Sequence, residues 1–317
     1  MFVIINCDSI NRRGVFMNLR DLKIFVTVAE EKNISKTAEK LNYVQSNISS
    51  RIQNLEKKFA TKLFYRNKDG MILTSDGEIL KDYANKILSV SEEMEQVLNQ
   101  KDNPRGKLDI ASVETVIKLP LILSKFNKQF KEVDLTLSTG VTAELRNKVL
   151  NYELDGAFIT KNKNTSHKNL NEIEVFNETL VLISDSESKN LSDIINSPIL
   201  GFSDGCGYRL KLNEWLKHEK ITPTKVMELG TLETTLGSVI SGLGIAYVPY
   251  SAVEHYEASG LITCFYLPKE YSEIKTIFVY RNEKHTNIAL KKFIETIEFS
   301  KHDAISPFYT YKGVSNR

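Results

Sequence analysis

Gln45, Ser46, Ser49 and Arg51 fall on the outer face of a helical pattern that begins near Gln45, and Ile48, Ile52 and Leu55 fall on its inner face. An amide, two hydroxyls and a guanidinium grouped in this way suit recognition by hydrogen bonds rather than bond making. A glutamine donates and accepts in a fork that matches adenine, whereas serine hydroxyls bond either way and discriminate less. Arg51 and Lys57 suit phosphates, and Arg66 or Lys68, past the helix, suits a nucleic-acid backbone or the adjacent minor groove. A second group of side chains marks strand-to-helix junctions. Ser112 follows a strand pattern at Leu108–Ala111, with Thr115 one turn on, and Thr142 stands where the N-cap of a helix over Ala143–Asn151 belongs. The Phe202–Gly207 loop precedes a further helix, and Thr231 precedes another. Helix N-termini offer unpaired N–H groups, so such junctions can cradle a carboxylate or another small anion.

Bond-making chemistry finds no footing. His167, His218, His255, His285 and His302 are scattered singly, with no ligand pair at helical spacing, so no metal is expected. There is no G-x-S-x-G, P-loop or dinucleotide fingerprint; Gly242-Leu-Gly244 lacks the third glycine and follows a helix pattern rather than a strand. Neither a nucleophile–base pair nor paired carboxylates can be assembled, and the chain reads as a non-enzyme without cofactor. Cys7, Cys206 and Cys264 are too few and too far apart for a disulfide framework or zinc knuckle. Cys206, between two glycines, reads as a small residue in a tight turn rather than an oxidant sensor.

The elements that carry these residues follow from periodicity. Leu22, Phe25, Val26 and Ala29 make the buried stripe of one helix, and Ser35 is the expected N-cap of a second containing Ala38 and Leu41. Asn42 tolerates the left-handed turn ahead of the third helix. Two short helices, a turn and a polar-faced third helix read as a helix-turn-helix. Short strands at Leu63–Phe64 and Met71–Leu73 around Lys68-Asp69-Gly70 predict a hairpin, hence a wing. From Glu78 to Gln100, Leu80, Ala84, Ile87, Ser91, Met94 and Leu98 alternate steps of four and three, a coiled-coil seam that predicts packing against a second copy. Residues 101–106 (KDNPRG) are a hinge by composition. Beyond them strand and helix patterns alternate, which predicts an α/β domain with mostly parallel sheets, as one sheet or two lobes.

At 317 residues the chain has room for about two domains. Its formal charge is only +2, yet Met17–Ser75 carries eleven basic residues against six acidic ones, the footprint of a nucleic-acid module. Hydrophobic residues at 41% exclude wholesale disorder. No apolar run reaches membrane-spanning length, and the first residues lack the charge order of a signal peptide. The expectation is a soluble, cytoplasmic protein.

The stretch Ala38–Gly77, AEKLNYVQSNISSRIQNLEKKFATKLFYRNKDGMILTSDG, carries QS-x-IS, LE, LF-x-R and LT-x-x-G elements in order. With GKLDIAS, LSTGVTAEL, DGAFIT, GCGYR and ELGTLETTLGSVISGLGIAYVP further on, it resembles the LysR-type transcriptional regulators from about Met17 to about Ser300. The resemblance implies a winged helix-turn-helix at 17–77, a linker helix at 78–100 and a two-lobed α/β periplasmic-binding-protein-like effector domain at 107–300. Lobe I would span about 107–179 and 282–300, and lobe II about 180–281. Residues 1–16 would be an N-terminal extension, with a start at Met17 favoured, and 301–317 a tail. It further implies that Gln45, Ser46, Ser49 and Ser50 face the groove of double-stranded DNA. Many relatives have Pro at the site of Ser46 and Arg at that of Ser50; both differ here, so a guanine contact from position 50 does not carry over. Ser112, Thr142, Ser203 and Thr231 would fall in a pocket for a small-molecule effector, and the protein would act as a homodimer pairing further into a tetramer on a pseudo-palindromic site. The rival readings are a solute-binding or enzymatic α/β domain with an incidental helical N-terminus, and a purely architectural DNA binder, for which the second half is too large.

Overall fold

The computed structural model describes residues 17–67, 70–98, 104–114, 116, 119–162, 165–188, 190–202, 205–283 and 286–300. The chain divides into two compact units after Leu98. The expected extension 1–16 and tail 301–317 lie outside the described residues, as do residues 101–103 of the expected hinge; Gly106 opens a strand.

The first unit comprises α1 (Leu19–Glu31), α2 (Ile34–Lys40), α3 (Gln45–Phe59), β1 (Phe64–Asn67), β2 (Gly70–Leu73) and α4 (Ser75–Leu98). Asn18 and Asp21 form a reciprocal capping box at the start of α1, whose Leu22, Phe25 and Val26 are buried as the spacing requires. The cap of α2 is Asn33, whose side chain accepts from the N–H groups of Ser35 and Lys36; the expected Ser35 cap is displaced by an equally good residue two positions earlier. Asn42 is left-handed, φ 55°, at the turn into α3. Ile48, Ile52 and Leu55 seal α3 against Phe25 and Phe64, whose rings lie 5.3 Å apart.

The short motifs of this unit are largely structural. Glu56 Oε1 accepts from the Leu63 N–H at 3.1 Å. Thr74 Oγ1 donates to the Lys62 carbonyl at 2.6 Å and accepts from the Gly77 N–H at 3.0 Å, which turns the chain from wing to helix. A Cβ on Gly77 would lie 2.2 Å from the Leu63 carbonyl oxygen, a backbone atom that cannot yield cheaply. Gly77→Ala is therefore expected to destabilise the protein by about 1–3 kcal/mol, read in a urea titration.

The linker pattern needs revising. Helix α4 starts at Ser75, and Ala84 is fully buried in the first unit's own core with Leu80 and Leu88 packed beside it. The upper half of the expected seam thus has a local partner, α1. What α4 leaves outward is a shifted stripe of Ile79, Tyr83, Ile87, Val90 and Met94, between 41% and 63% exposed.

The second unit holds β3 (Gly106–Ser112), α5 (Leu119–Gln129), β4 (Val133–Thr139), α6 (Thr142–Leu150), β5 (Gly156–Thr160), β6 (Leu170–Asp185), α7 (Leu191–Ile194), β7 (Ile199–Gly201), α8 (Gly207–His218), β8 (Val226–Glu228), α9 (Leu232–Ile240), β9 (Ile245–Pro249), α10 (Glu254–Ala258), β10 (Ile262–Tyr266), α11 (Lys269–Ser272), β11 (Glu273–Arg281) and α12 (Ile288–Ser300). The strand order is β4-β3-β5-β11-β6-β9-β7-β8, with β10 also on β6. Pairs around β3 and β7 are parallel, but β11 with β5 and β6, and β6 with β9 and β10, are antiparallel. The expected mostly parallel sheet is thus corrected to a mixed one, because the long strands β6 and β11 run antiparallel side by side.

Two lobes hang on these strands. Phe126, Phe158, Phe278 and Phe293 centre the first core. In the second, Leu180 and Leu182 on one face of β6 meet Trp215, and Val181 and Ile183 on the other meet Val239, so both sheet faces are buried. Ile274 of β11 lies in the second core and Ile277–Val279 in the first, so the second lobe ends within β11, between Ile274 and Ile277, rather than near 281.

Candidate functional site

The first unit presents α3. Val44 precedes it and supplies no side-chain cap, so the N–H groups of its first turn lack the acceptor that a Ser or Asn cap would bring. Gln45, Ser46, Ser50, Gln53, Asn54 and Lys57 are exposed, and Ser49 is half-buried. Ser46, Ser50 and Asn54 stand one above the other along a shallow groove that also contains Asn47 and Arg51. The face is polar and can form hydrogen bonds along its whole length.

Arg51 is placed otherwise than its residue type suggested. Its Nη1 lies 2.5 Å from Asp21 Oδ1, and its Nε donates to Asn47 Oδ1 at 2.8 Å. The other oxygen of Asp21 accepts from the Asn18 N–H at 3.1 Å. Arg51 thus bolts α3 onto the capped start of α1, and is a structural clasp before it is anything else. Arg66 is exposed on β1, across from Met71; Lys68 lies outside the described residues.

In the second unit a cleft of about 390 Å³ opens between the lobes. It gathers the carboxyl ends of β3, β4, β5, β7 and β8, where parallel strands leave room for a ligand. Val113, Glu114, Thr139, Gly140, Val141, Glu144 and Thr160 come from the first lobe; Phe202, Cys206, Tyr208 and Glu228–Gly230 come from the second. Gly207 permits the approach, since a Cβ there would lie 2.5 Å from Thr160 Cγ2.

Of the anticipated residues, Phe202 lines the cleft. Ser112 is buried and its hydroxyl donates to the Val113 carbonyl. Thr142 is not the N-cap of α6, which is Val141; its buried hydroxyl accepts from the Thr160 N–H at 3.2 Å and so joins α6 to β5. Thr231 caps α9, accepting from the Thr234 N–H at 3.1 Å. Thr115 and Ser203 lie outside the described residues. The three lining carboxylates Glu114, Glu144 and Glu228 carry no signal in the sequence, where each is an isolated acid without a motif. Among the described lining residues there is no lysine or arginine. The charges among the described lining residues are opposite in sign to those of an anion cradle.

Two family models match the chain. "Bacterial regulatory helix-turn-helix protein, lysR family" covers residues 19–78, and "LysR substrate binding domain" covers 101–299. The chain is also 46% identical over 282 residues to the HTH-type transcriptional regulator SoxR of Arthrobacter sp. (strain TE1826), covering 89% of this chain and 97% of that one. It is a member of the LysR family of transcriptional regulators. The regulator is likewise 44% identical over 281 residues to CzcR of Bacillus subtilis (strain 168), covering 89% and 97% of the two chains. Full-length OxyR from Pseudomonas aeruginosa shares its fold, with TM-score 0.67, 22% identity and coverage of 90% and 95%. So does CbnR in complex with its target DNA, with TM-score 0.62, 21% identity and coverage of 90% and 100%. These relatives are regulators, not enzymes, and this chain is a DNA-binding, effector-responsive regulator of the same kind. Among its described residues no helix is long and apolar enough to cross a membrane.

Cys206 and Cys264 are poorly set for redox sensing. Burial pushes Cys206 up, partly offset by the N–H groups of Arg209 and Tyr208, and burial with the neighbouring Glu257 pushes Cys264 up to about 12. Both are expected to alkylate more than tenfold more slowly than a free thiol at pH 7.5, as followed by mass spectrometry with iodoacetamide. Rapid labelling of Cys206 in the native protein would reverse this assignment.

Proposed function

We propose that the regulator binds a pseudo-palindromic promoter site as a homodimer, which pairs further into a tetramer, and that a small molecule in the interlobe cleft alters that binding. Residues 17–77 read DNA, the segment 78–100 joins the copies, and the chain from 107 to 300 holds the effector. Helix α3 enters the major groove, with Gln45, Ser46, Ser49 and Ser50 toward base edges and Lys57, Arg66 and Lys68 toward phosphates. The observation that carries this reading is the exposed row Ser46, Ser50 and Asn54 on a helix whose opposite side, Ile48, Ile52 and Leu55, is fully buried. Asn54 and Gln53 join the reading face on their exposure alone.

Pairing between copies is supported by the outward apolar stripe of α4, together with Leu19, which is 47% exposed and shares a groove with Ile87. An effector moves DNA binding only by preferring one arrangement of the regulator over another.

A salt series on operator binding tests the DNA half. Affinity must fall steeply as salt rises, and Lys57→Ala should reduce the slope of log K against log salt by about 2 per dimer, one contact from each copy. A flat dependence refutes the reading.

A further inference from the structure

We propose that the effector is cationic, an ammonium-bearing small molecule whose charged group is held by Glu114 and Glu144 beside the rings of Phe202 and Tyr208. The inference rests on the interlobe cleft being the effector site and adds the chemical class. One of the four junctions expected to cradle an anion, the start of α9, is already supplied with acceptors by the chain: Glu114 Oε1 takes the Leu232 N–H at 3.2 Å and Thr231 Oγ1 takes the Thr234 N–H at 3.1 Å. Glu114 comes from the first lobe and Leu232 from the second, so at the start of α9 a carboxylate of the protein occupies the place of a ligand carboxylate.

Of the three lining carboxylates, Glu228 is neutralised by Arg209 at 2.6 Å and Glu144 is half-answered by Lys148, its i+4 neighbour, at 2.6 Å. Glu114 has no lysine or arginine against it among the described residues. An anion entering the cleft meets the Glu114 carboxylate, which no described lysine or arginine pairs, whereas an ammonium group is attracted to it. Phe202 and Tyr208 line the same cleft and add to the preference, since aromatic rings attract cations. The volume of about 390 Å³ is near the lower end of organic-ligand pockets, which limits the ligand to a small molecule.

The test is thermal unfolding of the full chain with putrescine, propylamine and choline on one side and butyrate, succinate and benzoate on the other. An ammonium compound is expected to raise the melting temperature. Glu114→Gln is expected to weaken that ligand at least tenfold while the ligand-free protein still unfolds in one cooperative transition, because the amide oxygen still accepts the Leu232 N–H. Absence of a shift with all three ammonium compounds overturns the proposal, as does a shift that Glu114→Gln leaves intact. Gly230→Phe separates the two levels, since a side chain there meets open space within the cleft. A carboxylate that stabilises the native protein but not Gly230→Phe overturns the cationic class and upholds the cleft. A ligand indifferent to Gly230→Phe overturns both.

Discussion

Val90→Glu with Met94→Glu is expected to convert the protein to monomers and to weaken operator binding on the order of 100-fold or more. Both side chains are about half exposed in the isolated chain, at 48% and 54%, so their replacement costs the folded monomer little. They close a stripe that continues through Ile79, Tyr83 and Ile87 at steps of four and three, which is the spacing by which helices pair. Two negative charges placed opposite their own copies in that seam repel at close range, and desolvating them adds to the cost. With one recognition helix in place of two, the second half-site no longer adds its effective concentration. Sedimentation equilibrium and an operator titration on one preparation check the result. A dimer that survives both changes would put the pairing surface elsewhere than α4.

Arg51→Ala is expected to cost about 2–3 kcal/mol of stability and to weaken DNA binding without lowering its salt slope. Asp21 is only 8% exposed as a residue, and its carboxylate is divided between Arg51 and the cap of α1. Removing the guanidinium leaves that carboxylate nearly buried with the Asn18 N–H but no counter-charge. The figure is set below the roughly 3–5 kcal/mol of a fully buried pair because the Arg51 side chain is 27% exposed and water reaches it. Affinity falls because α3 loses its bolt to α1 and its serines shift. The slope discriminates between roles: an arginine that neutralised one phosphate in each copy would take about 2 from the slope when removed, whereas an arginine that only clasps α3 to α1 leaves it unchanged. Asp21→Asn with Arg51→Met should cost less than Arg51→Ala alone, since no buried charge is then stranded. Urea titrations and salt series on the three variants decide the matter.

Residues that act through their immediate neighbours were legible from the sequence. The buried stripes of α1 and α3, the left-handed Asn42, the hairpin around Gly70 and strand β5 at Gly156–Thr160 all follow from local sterics and side-chain period, which the order of residues encodes directly. Residues 170–179 of β6 were hidden because Glu172, Glu174 and Glu178 interrupt the apolar pattern, although backbone pairing with β11 holds them extended. Partner choice at a distance was not legible either. Arg51 meets Asp21 thirty positions away, Glu114 meets Leu232 more than a hundred away, and Ala84 is claimed by α1 before any second copy can reach it. An arginine is equally suited to a phosphate and to a carboxylate, and a serine equally to a base and to its own backbone. Composition and period therefore determined which chemistry was on offer and which elements carry it, whereas the packing of distant segments decided which partner each charge meets.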